Sequence, residues 1–164
     1  MAELTLRPPQ LLVSRRAIGY WTVRAAIGWL VLVAIETVLW MNNRPDSLAV
    51  YEVVLGGTLV VAVLHLVVMP QWRFRVHRWE RTGEAVYTQS GWFTVERRIA
   101  PVSRIQTVDS RMGFFERIFG LANVTVTTAS AAGPLKIHGL DRHVARELVD
   151  DLIRTTQATP GDAT

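Results

Sequence analysis

Apolar residues fill positions 21–41 and again 51–69 almost without a break, and the positions between them, 42–49, are mostly polar. As a helix each run rises roughly 30 Å, the thickness of a bilayer's hydrocarbon core. Asn42, Asn43, Pro45 and Asp46 favour a tight turn, so the two runs predict an antiparallel helical hairpin. Tyr20, Trp21 and Trp40 bracket the first run, and Tyr51 and Trp72 bracket the second, as side chains that prefer a water interface do.

After position 70 the period shortens. Arg73, Arg75 and His77 alternate with Phe74 and Val76, which predicts a strand with one basic face. Turns at Thr82–Gly83 and Gly91 separate two further strands, 85–90 and 92–99, and Pro101 ends the second because proline cannot donate to a ladder. Strands are also predicted at 104–109, at 123–128 through Val124 and Val126, and around Leu135 and Ile137. Val144, Leu148 and Leu152 recur every four residues, with Ala145 and Val149 widening the stripe and Asp141 placed to cap a closing helix. The expected class is a membrane α + β protein, a transmembrane hairpin followed by a small antiparallel β domain closed by a C-terminal helix. The divisions read as leader 1–16, hairpin 17–70, soluble domain 71–154 and a disordered tail 155–164.

Charge adds direction. Eighteen basic residues face fourteen acidic ones, and Lys136 is the single lysine, so arginine carries the excess. Arg7, Arg15, Arg16 and Arg24 precede or begin the first run and Arg73, Arg75 and Arg78 follow the second, whereas the connecting loop holds Arg44 alone. Both termini are therefore expected on the cytoplasmic side of a membrane, the first run staying as an anchor. Arginine beside a bilayer favours anionic lipid, and no nucleic-acid-reading motif accompanies it. Inside the runs, Arg24, Glu36 and Glu52 lie within snorkelling reach of headgroups, and the deeper His65 is expected to bond a partner helix as a neutral imidazole. Gly56, Gly57 and Thr58 would admit close packing of another helix, from this chain or a second copy.

Four ordered segments carry a resemblance: 101–109 (PVSRIQTVD), 116–122 (ERIFGLA), 124–129 (VTVTTA) and 137–140 (IHGL). Together they resemble the bacterial pleckstrin-homology-like family of YdbS type, over about residues 15–154. The resemblance implies a PH-like fold, a strongly bent sheet plugged by its last helix, and envelope stress tolerance as a cellular context. It also implies a headgroup-binding arginine cluster, here Arg73, Arg75, Arg78 and Arg81, to which Arg97 and Arg98 add.

No catalytic constellation stands out: the histidines lack metal-ligand spacing, no serine sits in a nucleophile elbow, and no cysteine exists. No enzyme activity, metal or cofactor is expected. Arg104 and Gln106 are read as one strand face that either holds a partner or ties down its own loop. Phe114, Phe115, Ile118 and Phe119 form an apolar helical turn that either plugs the core or makes a bilayer or subunit patch. The preferred function is a membrane-anchored interaction module whose partner is another membrane protein or a second copy. Anionic-lipid sensing by the arginine row and an accessory role in transport are the alternatives.

Overall fold

The computed structural model describes residues 7–43, 48–92, 94–130 and 133–158. Helices α1 (Arg16–Asn43) and α2 (Leu48–Val76) form the hairpin. Trp29 meets His65, Glu36 meets Thr58 and Trp40 stacks on Tyr51, so the pairing is antiparallel. The predicted turn falls mostly on positions outside the described residues. Their outer surfaces stay apolar: Leu30 is 69% exposed and Val53 74%, which only a hydrocarbon solvent makes favourable. With 28 and 29 residues the helices rise roughly 42–44 Å, more than the bilayer core needs, so their domain-proximal turns reach the headgroup level.

The β domain has two antiparallel sheets. One orders β1 (Leu11–Leu12), β2 (Arg78–Arg81), β3 (Ala85–Gly91) and β4 (Val95–Pro101); the other orders β5 (Ile105–Arg111), β6 (Leu121–Thr128) and β7 (Leu135–Asp141). A single 3-10 turn, Val102–Arg104, joins the sheets, and α3 (Phe114–Phe119) fills the β5–β6 connection. The last helix, α4 (Arg142–Ala158), packs on β5, β6 and β7 with Ala145, Leu148 and Leu152 buried. Each large apolar side chain fully buried there, such as Leu121, Leu140 or Leu152, contributes about 1.5–3 kcal/mol.

Four expectations are corrected. The basic alternation at Arg73–His77 is helical, because α2 continues through Pro70 to Val76. Tertiary contacts override the period-two pattern: Phe74 packs on the core, and Gln89 Nε2 donates to the Val76 carbonyl at the helix end. The leader is part of the domain, since Leu11 and Leu12 pair with Trp79 and Arg78. The tail is helical as far as Ala158, where Thr155 Oγ1 donates to the Asp151 carbonyl and Arg81 Nη2 donates to Thr155; the rest lies outside the described residues. The third predicted strand begins at Val95 rather than Trp92, and Phe93 is not among the described residues.

Candidate functional site

The hydrophobic core does not stop at the membrane. Val13, Ala17, Tyr20 and Trp21 are buried in the same cluster as Val86, Val124 and Leu140, so α1 grows out of the domain core. Gly139 sits at φ +75°, where its bare Cα lets α1 approach: an added Cβ would lie 3.0 Å from Ala17 Cβ. The Gly139 carbonyl accepts from Ser14 N–H (2.9 Å), and its own N–H donates to Asn123 Oδ1 (3.0 Å). Asn123 Nδ2 donates to Glu116 Oε1 (3.2 Å), Tyr20 O–H donates to the same oxygen (2.8 Å), and Arg24 donates to Tyr20 (3.2 Å). Burial works against ionising Glu116. Its own backbone N–H, Tyr20 and Asn123 outweigh that and hold the carboxyl below its usual range.

A second lock joins the end of α2 to α1. The Arg73 guanidinium lies 4.6 Å above the Trp21 ring, whose other neighbour is His77 at 5.3 Å between centroids. His77 Nδ1 and the Arg73 carbonyl are 2.9 Å apart, which requires the Nδ1–H tautomer. Burial, reinforced by the Arg73 charge, pushes the His77 pKa down to about 4, and burial likewise lowers that of His138.

The predicted arginine row does not converge. Arg73 is stacked on Trp21, and Arg81 pairs with Asp151 (2.9 Å) to tie β2 to α4. Arg97 donates to Gln89 (2.9 Å), and Arg98 donates to Glu96 (2.6 Å) and the Pro134 carbonyl (3.2 Å). Arg78 donates to the Arg75 carbonyl at 3.3 Å, and the Arg75 side chain is exposed. Arg104 and Gln106 do not share a strand face: Arg104 ends the 3-10 turn and Gln106 is the extra residue of a β-bulge, both exposed while Ile105 packs inward. On α3, Phe119 packs edge-on against Tyr20 (6.1 Å) beside Gly19, whereas Phe114 (73% exposed), Phe115 and Ile118 (64%) point away from the core. The segment thus divides between the two readings, Phe119 plugging the core and the other three leaving an exposed apolar patch, because six helical residues bury one face only.

In the hairpin, Trp29 Nε1 donates to His65 Nδ1 (2.9 Å) and Thr58 donates to Glu36 (2.7 Å); Glu52 is exposed and Arg24 belongs to the junction network. Among the described residues nothing lies within 4 Å of a Cβ added at Gly56 or Gly57, so they do not mediate packing of α1 on α2. Among the described residues no group of acidic and histidine side chains is arranged to hold a metal.

The sequence profile described as bacterial PH domain matches residues 23–156, most of the chain and nearly all of α1 through α4. This chain belongs to the bacterial PH domain family. It is similar to the UPF0699 transmembrane protein YdbS of Bacillus subtilis (strain 168), 26% identical over 159 residues that cover 94% of this chain and 97% of that one. No solved structure matches significantly. Membrane association, a transmembrane hairpin and a PH-like domain are thus the properties of this protein. Within the bacterial PH domain, sequence reasoning missed the side chains that do converge. Arg15, Arg16, Arg117, Arg142 and Arg146 come from three elements and line one cleft; they are scattered over more than 130 positions, and only the topology unites them.

Proposed function

We propose that this protein is a non-enzymatic, membrane-anchored interaction module whose PH domain works at the cytoplasmic leaflet as an adapter for a second membrane protein. The observation that carries this reading is the junction. A strand of the leader, the Gly139 contact and the Arg73–Trp21–His77 stack hold the domain to both helices, so its surfaces keep a set orientation toward neighbours in the bilayer. A domain held this way has its orientational entropy already spent before a partner arrives, and modest contacts then suffice. The arginine bias at the domain end of the hairpin supports the cytoplasmic side.

The partner-facing surface in this reading is β5. It is an edge strand of its sheet, so its outward N–H and C=O groups are open to an extended segment of a neighbouring protein, and the bulge at Gln106 locally re-aims the ladder. Photo-crosslinking residues at positions 106 and 154, introduced into the full chain in native membranes, test it. A single membrane protein trapped from 106 and not from 154 is expected. Adducts with a second copy alone, or equal yields from both positions, would overturn the adapter reading.

A further inference from the structure

The cleft between α1, α3 and α4 is lined by Arg15, Arg16, Arg117, Arg142 and Arg146 with Ile118 at its border, and has a volume of about 940 Å³. Five guanidiniums share it, and among the described residues no carboxylate lines it. Arg16 reaches Asp141 at 3.6 Å, and that is the one ion pair made by any of the five among the described residues. Like charges gathered this way repel one another, and their placement raises the cost further. Arg16 opens α1 and Arg142 opens α4, and neither helix has an acidic residue in its first turn. Helix N-termini favour negative charge; Asp141 supplies one at the start of α4 and pairs with Arg16, while the remaining arginines there carry the wrong sign. An anion in the cleft would reverse the sign of all of these interactions at once, and arginine's planar fork fits the oxygens of a phosphate.

The position of the cleft selects the source of that phosphate. Gly19 and Phe119 line it, and α3 packs beside Gly19 and Tyr20, immediately before the apolar run that starts at Trp21. That is headgroup depth. Ile118 lines the same cleft and is 64% exposed, and Phe114 beside it on α3 is 73% exposed, so cations and bare apolar side chains border one opening. Such a border matches a molecule with a phosphate at one end and acyl chain at the other.

We propose that this cleft binds the phosphate of an acidic phospholipid, with Arg15, Arg16, Arg117, Arg142 and Arg146 around the headgroup and Ile118 against the upper acyl chain. The site is separate from the β5 edge and does not depend on the adapter reading. It also differs from the arginine row expected from the sequence, whose members are mostly engaged elsewhere.

The full chain, stripped of lipid in mild detergent, is titrated with phosphatidylglycerol, with phosphatidylcholine and with inorganic phosphate, and occupancy is read by native mass spectrometry. Saturable binding of phosphatidylglycerol at low stoichiometry is expected, with phosphatidylcholine much weaker. The double variant Arg117→Gln/Arg146→Gln should lose about 30-fold in affinity, from about one arginine's worth of surface attraction at each position. Arg104→Gln/Arg154→Gln, with the same change in net charge, should stay within about twofold, since its residues lie outside the cleft. Ile118→Ser keeps every charge and should weaken phosphatidylglycerol without changing inorganic phosphate. Equal losses in the two arginine pairs, or none in either, would overturn the site. Inorganic phosphate binding as tightly as phosphatidylglycerol would overturn the lipid as its ligand. Melting temperatures of both pairs, each made at exposed positions, separate loss of binding from loss of fold.

Discussion

Gly139→Ala should loosen the domain from α1 far more than its size implies. Two costs combine at this position. The backbone is at φ +75°, where an L side chain costs roughly 1–2 kcal/mol. The new methyl would also meet Ala17 Cβ at 3.0 Å, too close for a buried helix to accept without moving, with overpacking typically costing about 1–3 kcal/mol, while the Trp21 ring at 3.6 Å is in ordinary contact. Gly133 isolates the first term: its φ is +78°, and among the described residues nothing lies within 4 Å of an added Cβ. The difference between Gly139→Ala and Gly133→Ala therefore reports the junction contact, expected near 2 kcal/mol, or about a 30-fold rise in local opening. Hydrogen exchange of the full chain in nanodiscs reads this at the Ser14 amide, which donates to the Gly139 carbonyl at 2.9 Å. Protection at Ser14 should fall in Gly139→Ala and hold in Gly133→Ala. Equal protection in the two variants would refute the claim that this close approach couples hairpin and domain.

Three further outcomes follow from the geometry. The His77 pKa falls from 6.5 to about 4 on folding, so below pH 6.5 the unfolded chain binds a proton that the folded one refuses; stability from this group is complete above pH 6.5 and declines by roughly 3 kcal/mol as the pH drops to about 4. Thermal melts across that window should show the slope, and a slope undiminished in His77→Gln would sink the assignment. Trp29→Phe removes the donor to His65, and a double-mutant cycle with His65→Leu in detergent unfolding should give a coupling of about 0.6 kcal/mol; strict additivity would mean that the 2.9 Å contact does not tie the hairpin. Because the chain lacks cysteine, a spin label at Ile118→Cys reports depth without background, and it should be more accessible to oxygen than to a water-soluble nickel complex, with the reverse at Arg104→Cys; water-like accessibility at 118 would lift α3 off the bilayer.

Much of the architecture was legible because it rests on local periodicity. The unbroken apolar runs, the alternation around Val124 and Val126, and the four-residue spacing of Val144, Leu148 and Leu152 each have one natural reading. The His65 expectation was legible for a similar reason, since a lone imidazole in hydrocarbon needs a partner and Trp29 supplies it. The errors arise where tertiary contact decides. Arg73, Phe74 and Arg75 read equally well as alternating strand or last helical turn, and the stack on Trp21, more than 50 positions away, selects the helix. Leu11 and Leu12 form too short a segment to announce a strand, and pairing with β2 makes them one. The arginine row misled because charge counting cannot tell an engaged guanidinium such as Arg81 from an open one such as Arg117.

Stability and recognition make opposite demands on these arginines, and the fold answers them in different places. Arg73, Arg81 and Arg98 sit against a ring, a carboxylate or a carbonyl, where each stiffens a joint between elements. Arg15, Arg117, Arg142 and Arg146 gather in one cleft, an arrangement whose mutual repulsion lowers stability in the free protein. The junction makes that arrangement tolerable: the core that runs from Val13 and Trp21 into Val124 and Leu140 holds α1 and the β domain together against the repulsion. An anion entering the cleft then finds its donors already assembled, and the repulsion it relieves adds to its affinity. The same reasoning sets the sign of a stability test. Without acidic lipid, Arg117→Gln/Arg146→Gln should melt slightly higher than the parent chain, and with phosphatidylglycerol present the order should invert.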